Sequence, residues 1–141
     1  MPKRSFPLSK VHHPLEPGPV VLVTTAGKAR PGIMTTSWHT MLEFKPPLVG
    51  CMISNRHYSF DLLNTGREHV INIPAVKPAR QVVGCRNCSG NKTGKFKNFG
   101  FTPAASSYAG APLIDDCYAN LECIFADAMM VNKYNFLSLK L

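Results

Sequence analysis

The sequence is short of acid: eight Asp and Glu stand against sixteen Lys and Arg, a formal net charge of +8. It has no apolar run near the ~20 residues of a membrane span. Its opening Met-Pro-Lys-Arg-Ser-Phe-Pro lacks the apolar stretch of a signal peptide. The reading is therefore cytoplasmic, with no membrane partner. It also lacks low-complexity tracts and any internal repeat of roughly 20 to 50 residues. No Walker loop, Gly-x-Gly-x-x-Gly or Ser-His-Asp order occurs, so phosphate-loop, dinucleotide-fold and hydrolase readings find no support. Charged residues make up 17% and apolar ones 45%, which excludes a disordered polar chain.

What is present fits one domain of 141 residues, a length that buries a real core without disulfide staples. Twelve Pro and ten Gly interrupt the chain too often for a helical bundle and favour short strands joined by turns. The five cysteines, an odd number, read as reduced thiols, mostly buried as small hydrophobes.

The positive charge is unevenly placed. Residues 1–100 carry fourteen of the Lys and Arg, and Lys77 to Lys97 holds six cations without one acid. Nucleic acid, an anionic membrane surface and a phosphate-bearing cofactor all carry the charge to match such a segment, and composition alone does not choose among them.

Residues 1–17, with their prolines, read as an N-terminal arm laid over a domain of residues 18–141. Val20 to Thr25 is a run of β-branched residues interrupted only by Leu22, the pattern of a strand covered on both faces. A basic turn over Gly27 to Gly32 leads to Ile33 to His39, a second short strand or strand-loop rich in Thr and Ser. Leu48 to Ser54 follows Pro46-Pro47 as another. Ser59 to Thr65 suits a short helix with Ser59 as N-cap and Gly66 near its end. His69 to Pro74 alternates as a strand. Lys77 to Val83 is a short helix with Pro78 in its first turn, and Gly84 to Pro103 is a long loop with one helical turn at Lys95 to Phe99. Ala119 to Asp127 and Tyr134 to Leu141 are the last strands. About seven short strands suggest an antiparallel barrel or sandwich, and the final one is expected to leave an unpaired edge.

Three groups of residues, taken in order and spacing, resemble the flavin reductase-like family, which includes the flavoredoxins. The first is Gly18 to Thr25 with Met34-Thr35-Thr36-Ser37-Trp38 and Phe44 to Val49. The second is Ser54-Asn55-Arg56-His57-Tyr58-Ser59-Phe60-Asp61 with Val70 to Pro74. The third is Ser89-Gly90 with Lys95-Phe96, then Gly100 to Pro103, Ala111 to Ile114 and Leu121-Glu122-Cys123. The similarity spans about Gly18 to Phe136. It implies a mainly β fold, an FMN-binding, Greek-key, antiparallel split β-barrel with short helices, holding FMN at a homodimer interface. It also implies an oxidoreductase that takes electrons from a reduced nicotinamide, NAD(P)H, or from a redox protein. The residues it places at the cofactor are Met34, Thr35, Thr36, Ser37, Trp38, Ser54, Asn55, Arg56, Ser59, Ser89, Gly90 and Lys95.

Elementary chemistry runs beside that implication. FMN needs donors for a phosphate dianion and a surface for a flat ring. Thr35, Thr36 and Ser37 bring hydroxyls directly before the only Trp. Taken alone, a Thr-Thr-Ser-Trp run reads as a core Trp on a decorated strand. Ser59 at a helix start would present free amides, a seat for phosphate. Lys95 sits in an acid-free stretch, where a lone Lys is ordinarily a solvated surface residue.

The chain also departs from the family pattern. Gly32 stands where the family has Asn, and Gly94 where Asp precedes Lys. Leu137 to Leu141 no longer follows the pattern, so the chain reads as a homologue truncated at its C-terminal strands, with an inactive copy as one alternative. A basic nucleic-acid or anion-binding module is the other. Cys85-Arg86-Asn87-Cys88 has the spacing of a metal or thiol-redox pair. Without a second close pair it reads as ordinary loop cysteines, and no metal is expected.

Overall fold

A strand can be apolar at every position only if both of its faces are covered, and the first strand meets that condition. The computed structural model describes residues 3–27 and 30–141, so Lys28 and Ala29 of the basic turn lie outside the described residues. The element order is α1 (His12–Leu15), β1 (Val21–Thr25), β2 (Gly32–Thr36), β3 (His39–Phe44), β4 (Pro47–Met52), α2 (Tyr58–Gly66), β5 (Glu68–Pro74), α3 (Ala79–Arg86), α4 (Lys95–Phe99), β6 (Pro103–Ala104), β7 (Leu113–Ile114), β8 (Cys117–Asp127), α5 (Val131–Tyr134) and β9 (Phe136–Lys140). All five residues of β1 are buried. Val21 and Val23 join one core while Leu22 joins the other, as side chains alternating across a pleat must.

Seven strands form one antiparallel sheet in the order β2-β1-β5-β8-β9-β4-β3, and β6 pairs with β7 separately. The larger core gathers Val21, Val23, Ile71, Ile73, Leu121, Cys123, Leu137 and Leu139 on one face. The smaller one packs Leu22, Ile33, Ile114 and Phe101 against Val82 and Cys85 of α3. Burying a Leu or Ile side chain in such a core contributes about 1.5–3 kcal/mol. A buried polar network ties the two layers together. Asn72 Nδ2 donates to the Leu22 carbonyl at 3.0 Å, and Asn72 Oδ1 accepts from the Ile114 amide at 2.9 Å. Asn120 Nδ2 donates to the Ile114 carbonyl at 3.1 Å, and Thr24 Oγ1 donates to the Pro112 carbonyl at 2.6 Å.

Several expectations are corrected. The last strand is not an unpaired edge, because β9 lies between β8 and β4 with hydrogen bonds on both sides. The sheet edges are instead β2 and β3. Of the strand or strand-loop expected over Ile33 to His39, the strand part β2 stops at Thr36 and Ser37-Trp38 form the loop before β3 begins at His39. Helix α2 starts at Tyr58, so the N-cap position falls to His57 and not to Ser59. β5 alternates in sequence, yet all five of its interior residues are buried, because it is a central strand covered on both faces. α3 runs on to Arg86, which puts Cys85 in a helix and not in a loop. In the N-terminal segment, Val11 and Leu15 are buried and belong to the larger core. Among the described residues no helix is long and apolar enough to cross a membrane.

Candidate functional site

The break after β2, the turn after β4 and the α3–α4 segment face one another across an open cleft of about 690 Å³. β2 and its continuation supply Met34, Thr35, Thr36, Ser37 and Trp38. The β4–α2 turn supplies Ser54, Arg56 and Ser59, and the segment after α3 supplies Ser89, Gly90 and, opening α4, Lys95. Eleven of the twelve sequence-nominated residues thus line one cleft, and Asn55 does not. The turn explains the exception: the Arg56 amide donates to Ser54 Oγ at 3.3 Å and the His57 amide to the Ser54 carbonyl at 3.0 Å, which leaves Asn55 exposed at the tip.

Local packing fixes each wall. The Trp38 amide donates to Thr36 Oγ1 at 3.1 Å, and the indole is 67% exposed, so it does not fill the core. Thr35 Oγ1 donates to the Val82 carbonyl at 3.1 Å, tying β2 to α3. α3 can approach α4 because residue 84 is glycine: a Cβ there would meet the Phe99 ring at 2.6 Å. On the opposite wall Ser59 is buried in the first turn of α2.

Lys95 is the feature that stands out physically. It is 6% exposed, and its Nζ donates to the Cys85 carbonyl at 2.8 Å. An ammonium has three donors, so one neutral acceptor leaves a buried cation electrically uncompensated. Among the described residues the cleft lining contains Arg56 and Arg86 besides Lys95 and no carboxylate. Burial pushes the neighbouring Cys85 thiol above its ordinary range, against the opposing pull of Lys95 and a hydrogen bond with Thr35.

Sequence reasoning missed one residue that shapes this cleft. Arg30 Nη2 donates to the Gly90 carbonyl at 2.9 Å and to the Asn91 carbonyl at 2.6 Å, clamping the Ser89-Gly90 wall from the β1–β2 connection. No local motif signals such a contact, since 60 residues separate the partners. Tyr58, Arg86 and Cys88 also line the cleft; Tyr58 was visible only as part of a quoted motif. A shallower apolar hollow formed by Trp38, His39, Thr40, Gly50, Met52 and Phe136 adjoins the cleft through Trp38 and Met52.

The two departures differ in kind. At Gly32 a Cβ would lie 2.5 Å from Thr25 Oγ1 and 3.0 Å from Leu62 Cδ1, so neighbouring side chains occupy the space of a longer residue. At Gly94 a Cβ would meet nothing within 4 Å, and the missing carboxylate has no steric cause. Among the described residues no group of three or more His, Cys, Asp or Glu is arranged to hold a metal ion.

The model of the flavin reductase like domain matches residues 14–140. The chain belongs to the flavin reductase like family. A curated relative, an uncharacterised protein of Archaeoglobus fulgidus, is 32% identical over 98 residues, which cover 70% of this chain and 55% of that protein. The chain thus spans about half the length of that relative. Among solved structures, an FMN-binding domain of a flavin reductases-like enzyme from Shewanella baltica superposes with a TM-score of 0.91. It is 20% identical, and the match covers 98% of this chain and 73% of that one. A flavoredoxin of Desulfovibrio vulgaris superposes with a TM-score of 0.81 at 21% identity, covering 87% of this chain and 66% of that one. Their split-barrel fold is the fold of this chain.

Proposed function

We propose that the cleft binds FMN and that the protein is an FMN-dependent oxidoreductase of the flavin reductase or flavoredoxin kind. The observation that carries this reading is Lys95, a buried cation with one neutral partner at the wall of a cleft without carboxylates. Such a group calls for an anionic ligand with oxygens that accept its remaining donors. The cleft volume of about 690 Å³ falls within the roughly 300–1,000 Å³ of cofactor-sized sites. Buried Ser59, Arg56 and the first amides of α2 would hold a phosphate, while the exposed Trp38 face and Met34 would lie against a flat ring. These residues fit the group. When bound, the flavin supplies the redox chemistry, and the protein binds and orients it.

The reading extends to partners. Electrons come from a reduced nicotinamide or a protein donor. A second copy of the chain covers the apolar hollow beside Trp38, so that the cofactor lies at a homodimer interface, in the cytoplasm. The support is the family, the FMN-binding neighbour from Shewanella baltica and the exposure of Trp38 and Met52 on that side.

The test is titration of the purified chain with FMN, followed by quenching of flavin fluorescence. Lys95→Met keeps the buried stem and removes the charge. Losing a charge-assisted hydrogen bond of about 1.5–3 kcal/mol weakens binding roughly 10- to 150-fold. Unchanged FMN affinity in Lys95→Met would remove Lys95 from the site, and no FMN binding together with salt-sensitive binding of duplex DNA would transfer the cleft to the anion-binding reading.

A further inference from the structure

Two cysteines of the Cys-x-x-Cys run, Cys85 and Cys88, both line the cleft, whereas Cys51, Cys117 and Cys123 are buried away from it. Cys85 is fully buried in the last turn of α3, and Cys88 is half-buried just beyond that helix. The Cys88 thiol folds back, donating to the Gly84 carbonyl at 3.4 Å, so it stays against the helix that carries Cys85. Residues three apart on a helical turn have their Cβ atoms roughly 5–6 Å apart, so closing a disulfide, whose Cβ atoms lie about 3.5–4.5 Å apart, takes a small shift of Cys88, which lies beyond the last residue of α3. One thiol therefore sits at the mouth of the cleft and the other beneath it, where burial raises the Cys85 pKa and the Lys95 ammonium and the Thr35 hydroxyl offset only part of that rise.

We propose that Cys85 and Cys88 form a dithiol–disulfide couple that exchanges two electrons with the flavin held in the same cleft. The proposal rests on the FMN reading above. In the oxidising direction two S–H bonds break and one S–S bond forms. The two electrons and two protons pass to the oxidised flavin, which is the oxidant. In the reverse direction reduced flavin supplies both electrons and both protons, and the bridge opens to two thiols. Cys88, the more accessible sulfur, is where an external thiol or small disulfide exchanges.

The experiment counts thiols and does not depend on turnover. The full chain, reduced and freed of reductant, is mixed anaerobically with excess oxidised FMN, quenched into denaturing iodoacetamide and weighed intact. The five cysteines are expected to give a species with three alkylated, lighter by two hydrogens. Tryptic cleavage after Arg86 should leave two peptides joined only through Cys85 and Cys88. Cys88→Ser, a change at a half-buried position, should keep all four remaining cysteines alkylated under the same treatment. Five alkylated cysteines in a sample whose flavin fluorescence shows FMN bound, or a bridge between other cysteines, overturns the proposal. A parallel titration in mixtures of reduced and oxidised dithiothreitol separates the two readings. If FMN does not bind but the 85–88 bridge forms reversibly there, the flavin reading fails while the couple stands. If the bridge forms in neither arm, the couple is refuted.

Discussion

Replacing His69 should remove an acid limb from the protein's stability. His69 lies in β5 between Thr25 of β1 and Cys123 of β8. It is fully buried, and neither ring nitrogen has a hydrogen-bond partner. Burial lowers its pKa from 6.5 to about 4, against weaker opposing effects of the Leu63 backbone and Glu68. The folded state thus holds a neutral imidazole that the unfolded chain protonates below pH 6.5. Stability is complete above pH 6.5 and falls by about 1.4 kcal/mol per pH unit as the pH drops towards 4, where the folded state also takes up the proton. The whole gap amounts to roughly 3 kcal/mol, a large share of the ~5–15 kcal/mol of an ordinary domain. The assay is urea unfolding followed by circular dichroism at pH 7.5, 6.5, 5.5 and 4.5, for the wild type and for His69→Met, whose flexible side chain fills the space without titrating. Trp38 fluorescence is a poor probe, since the indole is already exposed. The remaining ionisable groups are common to both proteins, so the quantity of interest is the difference between them. It should shift by about 2–3 kcal/mol in favour of the variant between pH 7.5 and 4.5. A difference that stays constant over that range refutes the reasoning.

Gly84→Ala gains helix propensity but drives a methyl into the Phe99 ring. The expected net change is a loss of about 1–2 kcal/mol in urea unfolding, with weaker FMN binding because α4 carries Lys95. Gly32→Asn, which restores the residue usual in the family, should destabilise by about 1–3 kcal/mol, because Thr25 Oγ1 and Leu62 occupy the space. Adding Thr25→Ala should recover part of that loss, and an additive double mutant would sink the steric explanation.

The strands were legible where hydrophobic pattern decides, as in β1, β4 and β8, and Lys95 to Phe99 emerged as the expected helical turn. The pattern failed where tertiary contacts decide. β3 reads His-Thr-Met-Leu-Glu-Phe and is mostly exposed at an edge, so it shows no apolar alternation to detect. Gly84 disguised the continuation of α3, although the glycine is required by the neighbouring Phe99 ring and does not end the helix. Val11 and Leu15 were hidden among prolines, yet both fill the larger core. The cleft itself was legible because eleven of its residues come in three short clusters. Arg30 was not, since its partners lie far along the chain and are backbone carbonyls that any residue could offer.

The basic segment shows how burial turns a compositional signal into a chemical one. Of the six cations from Lys77 to Lys97, five are exposed and only Lys95 is buried. The exposed five are an ordinary solvated surface, screened by salt within about 10 Å. Duplex binding through them would be broad and strongly salt-dependent. Lys95 differs because its charge has lost water, acquires one carbonyl in exchange and faces a cleft where no acid neutralises it. On the proposed reading a bound anion completes that group, and Arg56, Ser59 and the start of α2, across the same cleft, would share it. The buried cation, and not the excess positive charge as a whole, is therefore what the proposed reading ties to the cofactor-sized cleft, as one donor to a phosphate held beside an aromatic surface.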